Sequence, residues 1–169
     1  MLYSDINQEQ MFKDAEERGG NLMSVNMTLE EISELIQAIN KYFNRRVCDA
    51  EYVATEIADV EICIDRIMLQ LDKNNINELA DIASANSVLT RQPPDYIRTC
   101  ANALLVICSY FHFALYDWTT LTATLAEMKV LCNDLRKVIG DDLVDEQKIF
   151  KTLRLYNIVY GTNNESNND

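Results

Sequence analysis

Glycine, proline and histidine are scarce in this chain, and each scarcity excludes something. Four glycines and two prolines in 169 residues supply too little turn chemistry for an all-β fold, which uses such residues at almost every strand end. One histidine cannot furnish the paired ExxH ligands of a di-iron carboxylate bundle. The five cysteines (Cys48, Cys63, Cys100, Cys108, Cys132) contain no CxxC pair and are odd in number, which argues for reduced thiols against a zinc site or a disulfide framework. Basic residues are the minority, 15 against 27 acidic ones, for a net charge of -12. A field of that sign repels phosphate backbones and anionic lipid, so general nucleic-acid binding and membrane-surface binding are not expected. No long uncharged apolar run is present, and the first twenty residues lack the basic and apolar regions of a secretion signal; a cytoplasmic protein is the expectation.

What is abundant is Leu, Ile, Ala and Glu, with 48% hydrophobic residues overall. This composition predicts an all-α helical bundle large enough to bury its own core. Residues 1–22 read as a helical lead-in stopped at Gly19 and Gly20. Leu29, Ile32, Leu35, Ile36, Ile39, Tyr42 and Phe43 then recur at steps of three and four, as one face of a helix over residues 23–46. After "RRVCD", a second stripe runs through Val53, Ile57, Val60, Ile64, Ile67, Met68 and Leu71. The short connection predicts an antiparallel hairpin. One short helix is expected before Pro93 and Pro94, which cannot lie inside a helix, and three more are expected after them. The tail at 161–169 has nothing to bury and is expected to be disordered. Laying residues 30–70 over 99–139 pairs Leu35 with Leu104 and Cys63 with Cys132, a faint suggestion that the hairpin is repeated.

The hairpin carries two pairs of acids, Glu31 with Glu34 and Glu56 with Asp59. At ~100° per residue, members of each pair project from one side of their helix. Both pairs are rotated roughly 100° from their apolar stripes in the same sense, so an antiparallel hairpin packed stripe to stripe brings all four acids together. Four carboxylates against an apolar wall repel one another and lose hydration, a cost that a divalent cation removes. Oxygen ligands alone suit a hard ion, Mg²⁺ or Mn²⁺. A solvated acidic face accounts for the same spacing, and Thr28 with Glu31 also matches a capping box. Lys41, Arg45 and Arg46 form the one dense basic patch near these acids and are candidate phosphate contacts; cations at a helix C-terminus also simply complement its dipole. His112, Tyr116 and Trp118, in an aromatic stretch, are expected to pack in a core.

"EEISE" at 30–34 and "EIAD" at 56–59, with 21 residues between Glu34 and Glu56, resemble the EExxE and ExxD signature of the MazG-like all-α NTP pyrophosphohydrolase superfamily. The similarity spans about residues 20–71, through Gly20, "SVNMTLEE", "KYFNRR" and "TEIADVEICIDRIML". It departs from the family at Ser24, where a Gln is usual, and at Thr55, where a Glu is usual; no Lys/Arg-rich segment is evident after Leu71. The resemblance implies a metal-binding core over residues 1–92 with further helices at 93–160 packed on it, and metal ligands at Glu31, Glu34, Glu56 and Asp59. It implies Mg²⁺-dependent cleavage of (d)NTP to (d)NMP and pyrophosphate, with the water's proton passing to one of these acids or to Glu30, and a homodimer. A non-catalytic acidic interaction protein is the alternative.

Overall fold

The computed structural model describes residues 2–19, 23–69, 71, 73–86, 91–112 and 118–161. Among them are seven α-helices and no strand: α1 (Gln8–Gly19), α2 (Met23–Ile39), α3 (Ala50–Met68), α4 (Lys73–Asn86), α5 (Pro93–His112), α6 (Trp118–Ile139) and α7 (Asp141–Tyr160). None is long and apolar enough to cross a membrane. Gly20, Tyr116, the tail beyond Gly161 and the side chains of His112 and Trp118 lie outside the described residues.

The apolar periodicity becomes packing as expected for α2 and α3. Ile32, Leu35, Ala38 and Ile39 of α2 are buried, as are Val53, Ala54, Ile57, Ala58 and Val60 of α3. Ala38, Ala54 and Ala58 are small buried members of the shared core. α2 ends in a π-helical stretch, Asn40–Arg45, closed by Arg46 in the left-handed conformation (φ 54°). Asp49 then caps α3, its side chain accepting from the Tyr52 N–H at 3.0 Å. A connection this short obliges α2 and α3 to run antiparallel. Pro93 and Pro94 open α5, where a helix needs no N–H from its first residues.

α5 packs on α2, and α6 on both α3 and α5, so these four helices share one apolar core running from Val25 to Val144. The outer helices cross over: α4 lies on α6, and α7 lies on α3. Burial also recurs along the chain, in a register one residue shorter than the one suggested by Leu35 and Leu104. Displacement by 68 positions carries buried Ile32, Leu35, Ile39, Ile57 and Ile67 onto Cys100, Ala103, Ile107, Leu125 and Leu135, all buried in turn. Leu104 is only half-buried. The same displacement carries α2, α3 and α4 onto α5, α6 and the start of α7.

α7 is fixed on α3 by charge. Arg136 near the end of α6 donates from Nε and Nη2 to both oxygens of Glu61, at 2.6 and 2.8 Å, and also to Asp145 at 2.8 Å. Lys148 of α7 donates to Glu61 at 3.2 Å and to Asp65 at 2.9 Å. Gly140 alone joins α6 to α7, at φ 122°, a backbone angle that a side chain strains. A smaller cluster of Ile6, Met11, Phe12, Ala15, Ile62 and Val159 pins α1 and the far end of α7 to the outside of α3. Glu61 therefore holds two cations at once, and Glu61→Ala is expected to cost about 2 kcal/mol of unfolding free energy through its lost charged hydrogen bonds, with Arg136 left to Asp145 and Lys148 to Asp65. Chemical denaturation measures the loss, and hydrogen exchange is expected to quicken most over 141–160.

Candidate metal and phosphate site

Carboxylate oxygens of Glu31, Glu56 and Asp59 lie within 4.8 Å of one another. Glu31 comes from the middle of α2, and Glu56 and Asp59 from adjacent turns of α3. The three stand on helices that pack against each other, and that packing sets their separation. Glu56 is 5% exposed, and its Oε2 is buried without a hydrogen-bond partner. A buried carboxylate oxygen left unpaired is costly unless something binds it.

Glu34, the fourth expected ligand, is exposed and stands outside this group of three. Its charge lies near Glu56. Burial and crowding raise the proton affinity of Glu31, Glu56 and Asp59. Burial, then the charges of Asp59 and Glu34, push Glu31 up to about 7. Burial, then Glu34, Asp59 and Glu31, push Glu56 up to about 7 as well. Burial raises Asp59 too, opposed by a cation that the sequence reading did not anticipate: Lys151 of α7 donates to Asp59 Oδ2 at 2.5 Å, with Arg154 one turn further on.

Lys151 and Arg154 belong to "KIFKTLR", residues 148–154, a run of cations at steps of three in an otherwise acidic chain. That pattern was the available signal for a basic helix face. Lys41 donates to the Tyr52 hydroxyl at 3.2 Å, and its Nζ lies 4.9 Å from the centre of that ring. Tyr52 is one turn before Glu56, so Lys41 lies on the acid-bearing side, toward the connection. Arg45 and Arg46 are exposed at the end of the π-helical stretch. The five cysteines are free, and burial pushes the thiols of Cys63 and Cys100 up to about 12, as expected of inert core residues.

At the 68-residue counterparts of Glu31, Glu34, Glu56 and Asp59 stand Thr99, Asn102, Thr124 and Glu127. They line a cleft of about 350 Å³ between α5 and α6. Its one carboxylate, Glu127, is paired with Arg91 at 3.2 Å. The second hairpin thus presents a polar, nearly acid-free version of the same place.

Hard oxygen donors, close convergence and an unpaired buried oxygen fit a divalent cation at Glu31, Glu56 and Asp59, with Glu34 at the rim. Comparison with family models, with characterised proteins and with solved structures finds no match.

The raised carboxyls set a pH dependence. Between the ordinary Glu value of 4.5 and the folded-state value of about 7, the native state keeps protons that the unfolded chain has released. Stability therefore falls as pH rises through that window. In the absence of divalent ions the thermal midpoint is expected to drop from pH 5 to pH 8, with Glu56 accounting for about 2–3 kcal/mol. Glu56→Gln flattens the dependence. Mg²⁺ added at pH 8 raises the parent's midpoint and leaves that of Glu56→Gln nearly unmoved; differential scanning calorimetry checks both.

Proposed function

We propose that the chain is a Mg²⁺-dependent nucleoside triphosphate pyrophosphohydrolase of the MazG-like all-α superfamily, converting (d)NTP to (d)NMP and pyrophosphate. The observation that carries the reading is the convergence of Glu31, Glu56 and Asp59 within 4.8 Å, around a buried Glu56 oxygen that has no partner. These residues occupy the signature positions EExxE and ExxD, on two helices joined by a short connection. A solvated acidic face does not account for a Glu that is buried and unsatisfied.

A divalent ion bound here supplies charge neutralisation, orientation of the phosphates and acidification of a water. The chain's own residues do the rest. Glu31, Glu56 and Asp59 would hold the ion, with Glu34 at the rim. The water's proton would pass to a carboxylate of this set or to Glu30, exposed beside it. Lys41, Lys151 and Arg154 place cations around the acids where the β and γ phosphates would lie, and Arg45 and Arg46 extend the positive border at the hairpin end. A homodimer fits the family, although α5 and α6 already complete a four-helix core with α2 and α3 inside one chain.

A panel of dNTPs and NTPs with Mg²⁺, read as monophosphate and pyrophosphate, tests the reading. Turnover is expected for the parent, with Glu56→Ala reduced at least ~100-fold. Equal turnover in the two proteins, or none in the parent, would leave an acidic interaction protein as the better account. Replacing Arg45 and Arg46 together by Gln is expected to raise KM several-fold with kcat nearly kept; an unchanged KM removes both from the phosphate site.

A further inference from the structure

Lys151 is the one residue whose ammonium is bonded to the carboxylate group among the described ion pairs; Glu31 and Glu56 enter none of them. The contact is built into the fold. α7 runs along α3 in constant register, with Gln147 at Thr55 and Lys151 at Asp59, each pair 92 residues apart. Lys148, one turn earlier, is held by Glu61 and Asp65. The backbone of α7 is thus anchored while its next cation, Lys151, reaches the site. Lys151 is only about one-fifth exposed, and Asp59 less so, so the ammonium lies partly buried against the acid group, near enough for its charge to act on Glu31 as well.

An ammonium carries one charge on a flexible four-carbon stem and cannot satisfy three convergent carboxylates; the unpaired Glu56 Oε2 shows what it leaves undone. A divalent ion brings twice the charge and accepts several oxygens, Asp59 among them. Two cations of this kind do not share so small a space, because their mutual repulsion at a few ångströms is large in a partly dehydrated setting.

Resting on the metal-dependent reading above, we propose that Lys151 is a tethered cation that closes the carboxylate group when no divalent ion is bound, is displaced from Asp59 by that ion, and then binds an oxygen of the polyphosphate the ion carries. The stem that lets Lys151 reach Asp59 also lets it swing outward by a few ångströms without moving α7. One side chain therefore opposes ion binding in the empty protein and favours it when an anionic ligand arrives, coupling the two binding events. Lys151 is in this account a substrate-binding residue, and its bond to Asp59 is a resting contact.

The test uses Mn²⁺ binding to the full chain without nucleotide, followed by the electron paramagnetic resonance of the free ion, for the parent, Lys151→Gln and Lys151→Arg. Lys151→Gln is expected to bind Mn²⁺ about tenfold more tightly than the parent while its KM for the nucleotide rises about tenfold. Lys151→Arg, which keeps the charge, is expected to stay near the parent in ion affinity. Should Lys151→Gln fold poorly, Lys151→Met, which also removes the charge and keeps the apolar stem, takes its place with the same tighter Mn²⁺ binding expected. Equal Mn²⁺ affinity in all three proteins, or weaker binding by Lys151→Gln, overturns the role of Lys151 and leaves the metal site standing. Absence of Mn²⁺ binding in all three overturns both.

Discussion

Three carboxylates held closer together than their charges tolerate are the constraint around which this molecule is arranged. Glu31, Glu56 and Asp59 do not drift apart because their backbones belong to α2 and α3, which pack on one another in the core that buries Ala38, Ala54 and Ala58. The apolar core supplies the force, and the acids bear the consequence: proton affinities raised toward neutrality and one buried oxygen left without a partner. Packing energy gathered elsewhere in the bundle thus maintains a local arrangement that would not persist alone. Any cation that enters lowers that cost, and for this reason electrostatics, stability and the proposed chemistry belong to one account.

α3 divides the remaining charges between two tasks. Toward α6 and the start of α7, Glu61 and Asp65 meet Arg136 and Lys148 in a network where every charge has an opposite. Glu61 is accordingly held below the usual carboxylate range despite its burial, chiefly through its hydrogen bonds to Arg136 and the nearby Lys148. Toward α2, Glu56 and Asp59 are acids in excess, with Lys151 the one cation bonded to them among the described residues. Saturated pairing makes the first group an anchor, and deficient pairing makes the second a binding site. The two lie within three turns of one helix, so the anchor fixes α7 where its next cation falls on the deficient side.

Much of this was legible in the sequence, for a definable reason. Helix periodicity depends on neighbours within a turn, and α2 and α3 lie where Leu29 to Phe43 and Val53 to Leu71 place them. Convergence of the acids followed from rotational offsets within two helices and a connection too short to permit parallel packing. The position of Lys151 did not follow, because it depends on three non-local facts: the reversal at Gly140, the packing of α6 on α3, and the Glu61 anchor. Glu34 was expected as an equal fourth ligand; it is exposed, since the helical step from Glu31 carries it outward from the contact line. The internal register was misread by one residue because matching Cys63 to Cys132 weighs chemical identity, whereas burial aligns Cys63 with Leu131 and Ile64 with Cys132.

The corrected register bears on why the molecule has one charged centre when its helices recur as two sets of three. Buried positions are kept between the sets, because both hairpins contribute to the same core and neither can be altered there without opening a cavity. Positions beside that core carry no such obligation. Where the first set has Glu31, Glu34 and Glu56, the second has Thr99, Asn102 and Thr124, and Glu127, in the place of Asp59, is neutralised by Arg91. The covering helices differ in the same sense: α7 brings Lys151 to the acids, whereas its counterpart on α4 is Ala83, packed with Ala80 and Val130. Cation and carboxylates are thus present together on one side of the bundle and reduced together on the other. A basic side chain on α7 facing a neutral cleft would be buried without compensation, and acids facing an alanine would be likewise. Each side is therefore internally consistent, and the charge on α7 is best understood as part of the acid site although more than ninety residues separate Lys151 from Asp59.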